Sequence, residues 1–118
     1  MPRTMVLVQI AEECAHEVSA LLRPMESEDE LFRSANTLNA IVERVRVLAS
    51  ALGQMDQPWT CTIPALDWPA WQRVHEGLGR AGPPDRDMLW FVISSLVPAT
   101  VVLLREARHQ HPGLFMLT

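Results

Sequence analysis

The first half of the chain carries apolar residues in heptad spacing, which is the pattern of helices that pack against one another. The first heptad seam has the spacing 4-3-4-3 and consists of Leu7, Ala11, Cys14, Val18 and Leu21. It predicts a helix over about residues 4–23. We expect this helix to end at Arg23, because Pro24 disfavours a helical conformation in the residue before it.

A second heptad seam predicts a helix of about 25 residues that begins with a capping box. Ser27 and Glu30 have the spacing at which the serine hydroxyl accepts a hydrogen bond from the glutamate amide. The seam that follows consists of Leu31, Ala35, Leu38, Val42, Val45, Ala49 and Leu52. Gly53 is a natural helix end. Because the connection at residues 24–27 is short, we expect an antiparallel, coiled-coil-like helical hairpin over residues 4–52.

The second half of the chain predicts two more helices after an irregular connection. Residues 53–66 lack helical periodicity. Asp67 is the predicted N-cap of a short helix over residues 67–79. Asp85 is the predicted N-cap of a long apolar helix over residues 85–110, whose last turn carries basic residues that suit the helix dipole.

These elements predict one all-α domain over residues 1–118, a small four-helix bundle built on the N-terminal hairpin. A chain of 118 residues can bury a core without metals or disulfides. Its hydrophobic content of 48% excludes intrinsic disorder. The tail at residues 113–118 is apolar, so we expect it to pack against the rest of the domain.

The run from Met88 to Leu104 contains no charged residue. At about 1.5 Å per residue it measures about 25 Å, slightly short of a bilayer core of about 30 Å. A buried core helix is the preferred interpretation, while a membrane span at residues 88–104 and two strands divided near Pro98 are alternatives. We expect Pro98 to kink the helix. A helix this apolar needs more cover than the hairpin gives, and a second copy of the chain is the simplest cover.

Two Glu-x-x-His pairs, Glu13 with His16 and Glu106 with His109, are the main candidates for a metal site. Di-iron helical bundles use this motif on facing helices, with the side chains projecting inward. On a helical wheel, however, His16 lies nearly opposite the seam that contains Cys14. The second pair lies outside the apolar arc of its helix. We therefore expect solvated helix faces here and no metal site.

Neither cysteine has the surroundings of a catalytic nucleophile. Cys14 lies on the first seam and is expected to behave as a small buried hydrophobe. Cys61 lies in the connection, and the sequence places no histidine and acid to activate it. The chain also lacks a Gly-x-Ser-x-Gly motif and a glycine-rich phosphate loop. We expect no catalytic residues and no bound cofactor.

The candidate contact residues for a partner or ligand are the four tryptophans of the second half: Trp59, Trp68, Trp71 and Trp90. Tryptophans in a chain of this size are more often core residues, but a cluster can also form a ligand pocket or an interaction hot spot. The net charge of −4 and the mixing of basic with acidic residues argue against nucleic acid as a partner. With no secretory signal evident, we expect a cytoplasmic protein.

The sequence does not identify a biochemical activity. The leading hypothesis is a non-enzymatic protein-interaction module, a homodimer that acts as a small regulator, adaptor or inhibitor through its helical surfaces. The alternative is a small-ligand-binding protein or enzyme with a tryptophan-lined pocket. A di-metal helical-bundle protein is the least favoured hypothesis.

Overall fold

A computed structural model describes residues 3–55, 63, 65–79 and 85–110, and every regular element among them is a helix. In chain order these helices are α1 (Arg3–Leu22), α2 (Glu28–Arg33), α3 (Ala35–Gly53), α4 (Trp68–Gly79) and α5 (Arg86–Gln110). The predicted all-α fold is confirmed. The described residues form five helices where four were predicted, because the second predicted helix is divided into α2 and α3.

The N-terminal hairpin forms, and α1 packs chiefly on α3. Near the connection, the Ser34 hydroxyl lies 4.0 Å from the sulfur of Met25. Further from the connection, Arg44 of α3 forms an ion pair with Glu17 of α1. From the first contact to the second, the residue number falls in the first segment and rises in the second. This is the order of contacts between antiparallel helices.

The buried side of α1 contains the predicted seam and is wider than it. The seam residues that are buried are Leu7, Ala11, Cys14 and Val18. Leu21 is half-buried, whereas Val8 and Ala15, which lie next to seam positions, are fully buried. A broad apolar stripe suits a helix with more than one neighbour. Accordingly, α1 contacts both α3 and the second half of α5.

The capping box at the start of α2 forms, in a slightly shifted version. The Ser27 hydroxyl accepts a hydrogen bond from the amide of Glu30 at 3.1 Å. The Glu30 carboxylate accepts from the amide of Glu26, one residue before the N-cap, at 2.9 Å. The first contact satisfies an amide that a helix start leaves without a partner, and the second fixes the chain just before the N-cap.

The second predicted helix is interrupted at Ser34, which has φ −96° and ψ 80°. Its hydroxyl donates to the carbonyl of Glu30 at 2.8 Å, and its amide donates to the carbonyl of Leu31 at 3.0 Å. The carbonyl of Ser34 accepts a hydrogen bond from the amide of Leu38, in the first turn of α3. Ser34 therefore closes one helix and begins the next, a role for which serine is suited because it bonds locally to the backbone.

The interruption changes which residues of α3 are buried. The buried set consists of Ile41, Val45, Leu48, Ala49, Ala51 and Leu52. Of the predicted seam, Ala35 is exposed and Leu38 and Val42 are only half-buried. Ile41 and Leu48 were not assigned to the seam, yet neither is accessible to solvent. The prediction of one continuous heptad seam is wrong at these positions, because the break between α2 and α3 changes the register.

The starts of α4 and α5 agree with their predicted caps. Asp67 accepts a hydrogen bond from the amide of Ala70 at 3.1 Å. Asp85 accepts one from the amide of Asp87 at 2.9 Å. A carboxylate at the N-cap also suits the positive end of the helix dipole.

A π-helical turn at Val92–Leu96 divides α5 into two α-helical parts. The amide of Val97 donates to the carbonyl of Val92, five residues earlier. The turn lies just before Pro98, which has no amide hydrogen and whose ring crowds the carbonyl four residues back. The helix accommodates its proline through this wider turn and continues. The alternative of two strands divided near Pro98 is therefore wrong.

Some predicted segments lie outside the described residues. Of the connection at residues 53–66, the structure describes residues 53–55, 63, 65 and 66. Gly53, the predicted helix end, is the last residue of α3. The tail at residues 113–118 lies wholly outside the described residues.

Replacing the cap serine tests the capping box. Ser27→Ala should lower the free energy of unfolding by about 0.5–2 kcal/mol, because it removes the acceptor for the first turn of α2. Urea unfolding followed by circular dichroism measures the change. The matched control is Ser19→Ala at an exposed position inside α1, where alanine is the better helix former. Equal effects of the two substitutions would contradict the capping role.

Candidate functional site

The last helix has one packed side and one exposed side. Its buried residues are Leu89, Val92, Ile93, Leu96, Val97, Thr100, Leu104 and Ala107. On the opposite side, the exposed residues of the uncharged run form what we call the outer face, which consists of Phe91, Ser94, Ser95, Pro98, Ala99 and Val102. One helix therefore completes the core and also presents an uncharged surface to solvent.

Two large apolar side chains of the outer face stand half in solvent. Phe91 is 49% exposed and Val102 is 52% exposed. Val102 lies eleven positions after Phe91, which is about 16 Å along a helix axis. By length and composition α5 is able to cross a membrane, and 39% of its most apolar 18-residue stretch is buried. The interpretation as a core helix thus describes only one side of α5.

Charged residues lie at both ends of the outer face. Asp87 is exposed one turn before Phe91. Arg105 and Glu106 are exposed about one turn after Val102. The acid at the first end and the arginine at the second both suit the dipole of α5. The outer face is therefore an uncharged surface with a carboxylate at one end and a mixed pair of charges at the other.

Arg86 fastens the start of α5 to α2. Its guanidinium donates to Asp29 at 2.6 Å, lies 3.4 Å from a carboxylate oxygen of Glu28, and stands 4.6 Å from the ring centroid of Phe32. The hydrogen bond from Arg86 lowers the pKa of the Asp29 carboxyl. The positive charge of Arg86 is engaged within the chain, while the exposed Asp87 contributes a negative charge to this end of the outer face.

The three tryptophans that the structure describes do not form one site. Trp71 is 2% exposed, and its indole N–H donates to the hydroxyl of Thr100 at 2.9 Å. Thr100 is the one buried polar side chain within the described part of the chain. Trp90 is half-buried against the core on α5, and Trp59 lies outside the described residues. Trp71 therefore serves as a core residue that links α4 to α5.

Trp68 and Trp71 together line an open groove of about 480 Å³ between α3 and α4. Its lining includes Leu52, Met55, Trp68, Trp71, Gln72 and His75. The indole N–H of Trp68 donates to the carbonyl of Ile63 at 3.1 Å. Because both indole N–H groups are engaged within the chain, the tryptophans offer only ring surface to the groove. Its hydrogen-bonding groups belong to the rim.

The Glu-x-x-His residues lie on solvated surfaces, as the helical wheel predicts. Glu13, His16, Glu106 and His109 are all exposed. Within the described residues, no group of three or more histidine, cysteine or acidic side chains is placed to hold a metal ion. Glu13 and His16 instead border a charged hollow of about 500 Å³ that Arg105 lines from α5.

Cys14 is a buried free thiol on the core side of α1. Burial raises its pKa, and the nearby carboxylate of Glu17 adds to this effect. A thiol with a raised pKa is a poor nucleophile at neutral pH, because the thiolate is the reactive form. The position matches the predicted role of a small hydrophobe.

Comparison with protein-family models, with curated proteins and with solved structures finds no match for this chain. The function of the protein is therefore inferred from its own residues. Of the features described, the outer face of α5 and the groove beside Trp68 are the two surfaces that suggest binding.

Two functional features were not identified from the sequence. The exposure of Phe91 and Val102 was missed because the uncharged run gives no indication of which side is packed. The pairing of Thr100 with Trp71 was missed because the two residues lie 29 positions apart. Within an apolar helix, the isolated hydroxyl of Thr100 was the available signal, since a buried hydroxyl needs a partner.

The buried hydrogen bond between α4 and α5 can be tested with a double-mutant cycle. Thr100→Val should lower the free energy of unfolding by about 1–3 kcal/mol, because it leaves the indole N–H of Trp71 without an acceptor. In a Trp71→Phe background the same substitution should be nearly neutral, since no donor remains. Denaturant unfolding of the four proteins measures the coupling. Equal losses in both backgrounds would show that the hydrogen bond does not stabilise the fold.

Proposed function

We propose that this protein is a non-enzymatic interaction module that forms a homodimer through the outer face of α5. The observation that supports this proposal is the half-exposure of Phe91 and Val102 on a helix side without charge. Exposed apolar surface that is bordered by charged residues is typical of protein–protein contact sites. Aromatic side chains such as Phe91 are enriched at the centres of such sites.

A second copy of the chain is the occupant that we propose for the outer face. In a symmetric dimer the same surface is used by both copies, so one association covers both exposed faces at once. The small residues between Phe91 and Val102 allow two helices to approach closely, which increases the packing between them. In this state the protein would act as a small regulator, adaptor or inhibitor in the cytoplasm, with its other helices available to a larger protein.

A charge introduced into the outer face should separate the two copies. Val102→Glu should raise the dissociation constant of the dimer by at least about tenfold, because a carboxylate would be buried in an apolar contact. Val47→Glu is the matched control, since Val47 is an exposed valine of α3. Sedimentation equilibrium over a range of concentrations measures both constants.

Three outcomes would contradict the homodimer. The first is a wild-type chain that remains monomeric at every concentration. The second is a dimer that Val47→Glu weakens as much as Val102→Glu does. The third is a chain that floats with phosphatidylcholine vesicles, with a smaller floating fraction for Val102→Glu. That result would show that the outer face contacts lipid.

The groove beside Trp68 supports a second candidate function, the binding of a small planar ligand. Its volume of about 480 Å³ lies within the range of small-molecule sites, and its walls combine indole rings with a few polar side chains at the rim. A flat, largely apolar molecule would stack on the ring of Trp68 and hydrogen-bond at Gln72 or His75.

Tryptophan fluorescence tests this second candidate. Titration with a panel of aromatic metabolites should give a saturable change in emission if the groove binds one of them. The change should disappear in Trp68→Phe and persist in Trp90→Phe, because Trp90 lies outside the groove. A response that is absent, or that depends on Trp90, would contradict ligand binding at this place.

A further inference from the structure

We infer that the two copies of α5 pair in antiparallel orientation. The two-fold axis that relates them crosses the outer face at the level midway between residues 96 and 97. In this arrangement Asp87 of each copy lies against Arg105 of the partner subunit. The inference rests on the homodimer proposed above and specifies its geometry. It follows from the order in which large, small and charged residues occur along the outer face.

The outer face has the same succession of side-chain sizes when read from either end. Phe91 lies five and a half residues before the proposed axis, and Val102 lies five and a half residues after it. The four residues between them, Ser94, Ser95, Pro98 and Ala99, are small or compact and occupy equivalent positions on the two sides. A two-fold axis at the centre therefore places Phe91 beside Val102 of the partner subunit and small residues beside small ones.

The charges favour the antiparallel orientation over the parallel one. Asp87 lies nine and a half residues before the axis and Arg105 eight and a half residues after it, so they differ in level by about 1.5 Å. Both side chains are exposed. A parallel pair would instead place Asp87 beside Asp87 and Arg105 beside Arg105. Antiparallel helices also align their dipoles favourably.

Glu106 carries a charge that opposes this arrangement. It lies nine and a half residues after the axis, level with Asp87 of the partner subunit. Arg105 lies closer to the axis and can extend between the two carboxylates. Removing the charge of Glu106 should therefore strengthen the dimer, whereas removing the charge of Arg105 should weaken it.

Cysteine cross-linking distinguishes the two orientations. Phe91→Cys and Val102→Cys are made separately in a Cys61→Ser background and mixed under mild oxidation. In the antiparallel dimer the mixed disulfide should form at least about tenfold faster than either symmetric disulfide. Two copies of the same cysteine would be about 16 Å apart along the axis, far beyond the Cβ separation of about 4 Å that a disulfide requires.

The outcomes separate the geometry from the dimer itself. Symmetric disulfides that form faster than the mixed one would overturn the antiparallel orientation while leaving the homodimer in place. A dimer in sedimentation that forms none of these disulfides would exclude the outer face as its interface. A monomer in sedimentation would overturn the homodimer and the geometry together.

Charge reversal provides an independent measurement. Arg105→Asp should raise the dissociation constant of the dimer by about fivefold, the range of an exposed ion pair. Asp87→Arg should raise the dissociation constant less, because the new arginine is repelled by Arg105 of the partner subunit but attracted by Glu106 of the partner subunit. The double variant should regain most of the affinity. In it, the arginine at position 87 of each copy lies against the aspartate at position 105 of the partner subunit. Glu106→Gln should lower the dissociation constant. A double variant that is weaker than both single variants would contradict the contact between Asp87 and Arg105 of the partner subunit.

Discussion

The hydrogen bond from Trp71 to Thr100 fixes how the two helices of the second half of the chain meet. It joins α4 to α5 at a point where both side chains are almost inaccessible to solvent. The indole has no other route to satisfy its N–H, and Thr100 has no access to water. The pair therefore helps to hold the rotation of α5 about its own axis, together with the apolar residues on the packed side of this helix. That rotation sets which residues of α5 face outward and so form the outer face.

The rest of the core packs against one side of α5 and leaves its uncharged outer face exposed. Helix α1 gives the second half of α5 an apolar surface to pack on, and Arg86 holds the first turn of α5 against α2. An ordinary surface helix would place charged residues opposite this packed side. In α5 the charges occur only near the ends, so the middle of the helix is apolar or small on every side. This distribution is the reason for proposing α5 as the element that contacts another molecule.

Local chemistry accounts for what could be predicted, and longer-range effects account for what could not. The caps at Ser27, Asp67 and Asp85 depend on residues two or three positions away, so the sequence alone was sufficient. The break at Ser34 was not predicted because the apolar spacing continues across it, although a serine followed by a new helix start was present. Which side of α5 is packed depends on Thr100 finding a partner in another helix. The exposed outer face, and thus the candidate site, could be located only in three dimensions.

The π-helical turn before Pro98 amounts to one additional residue within an otherwise regular helix. A chain lacking one residue of Val92–Leu96 would be able to form an uninterrupted α-helix in which the residues beyond the deletion face nearly the same way, because the wider turn already absorbs the additional residue. Thr100 would then still face the indole of Trp71, and Val102 would stay on the outer face. A deletion in the regular helix after Val97 would instead turn everything beyond it by about 100°. The π-helical turn is therefore a place where α5 tolerates a change in the number of residues.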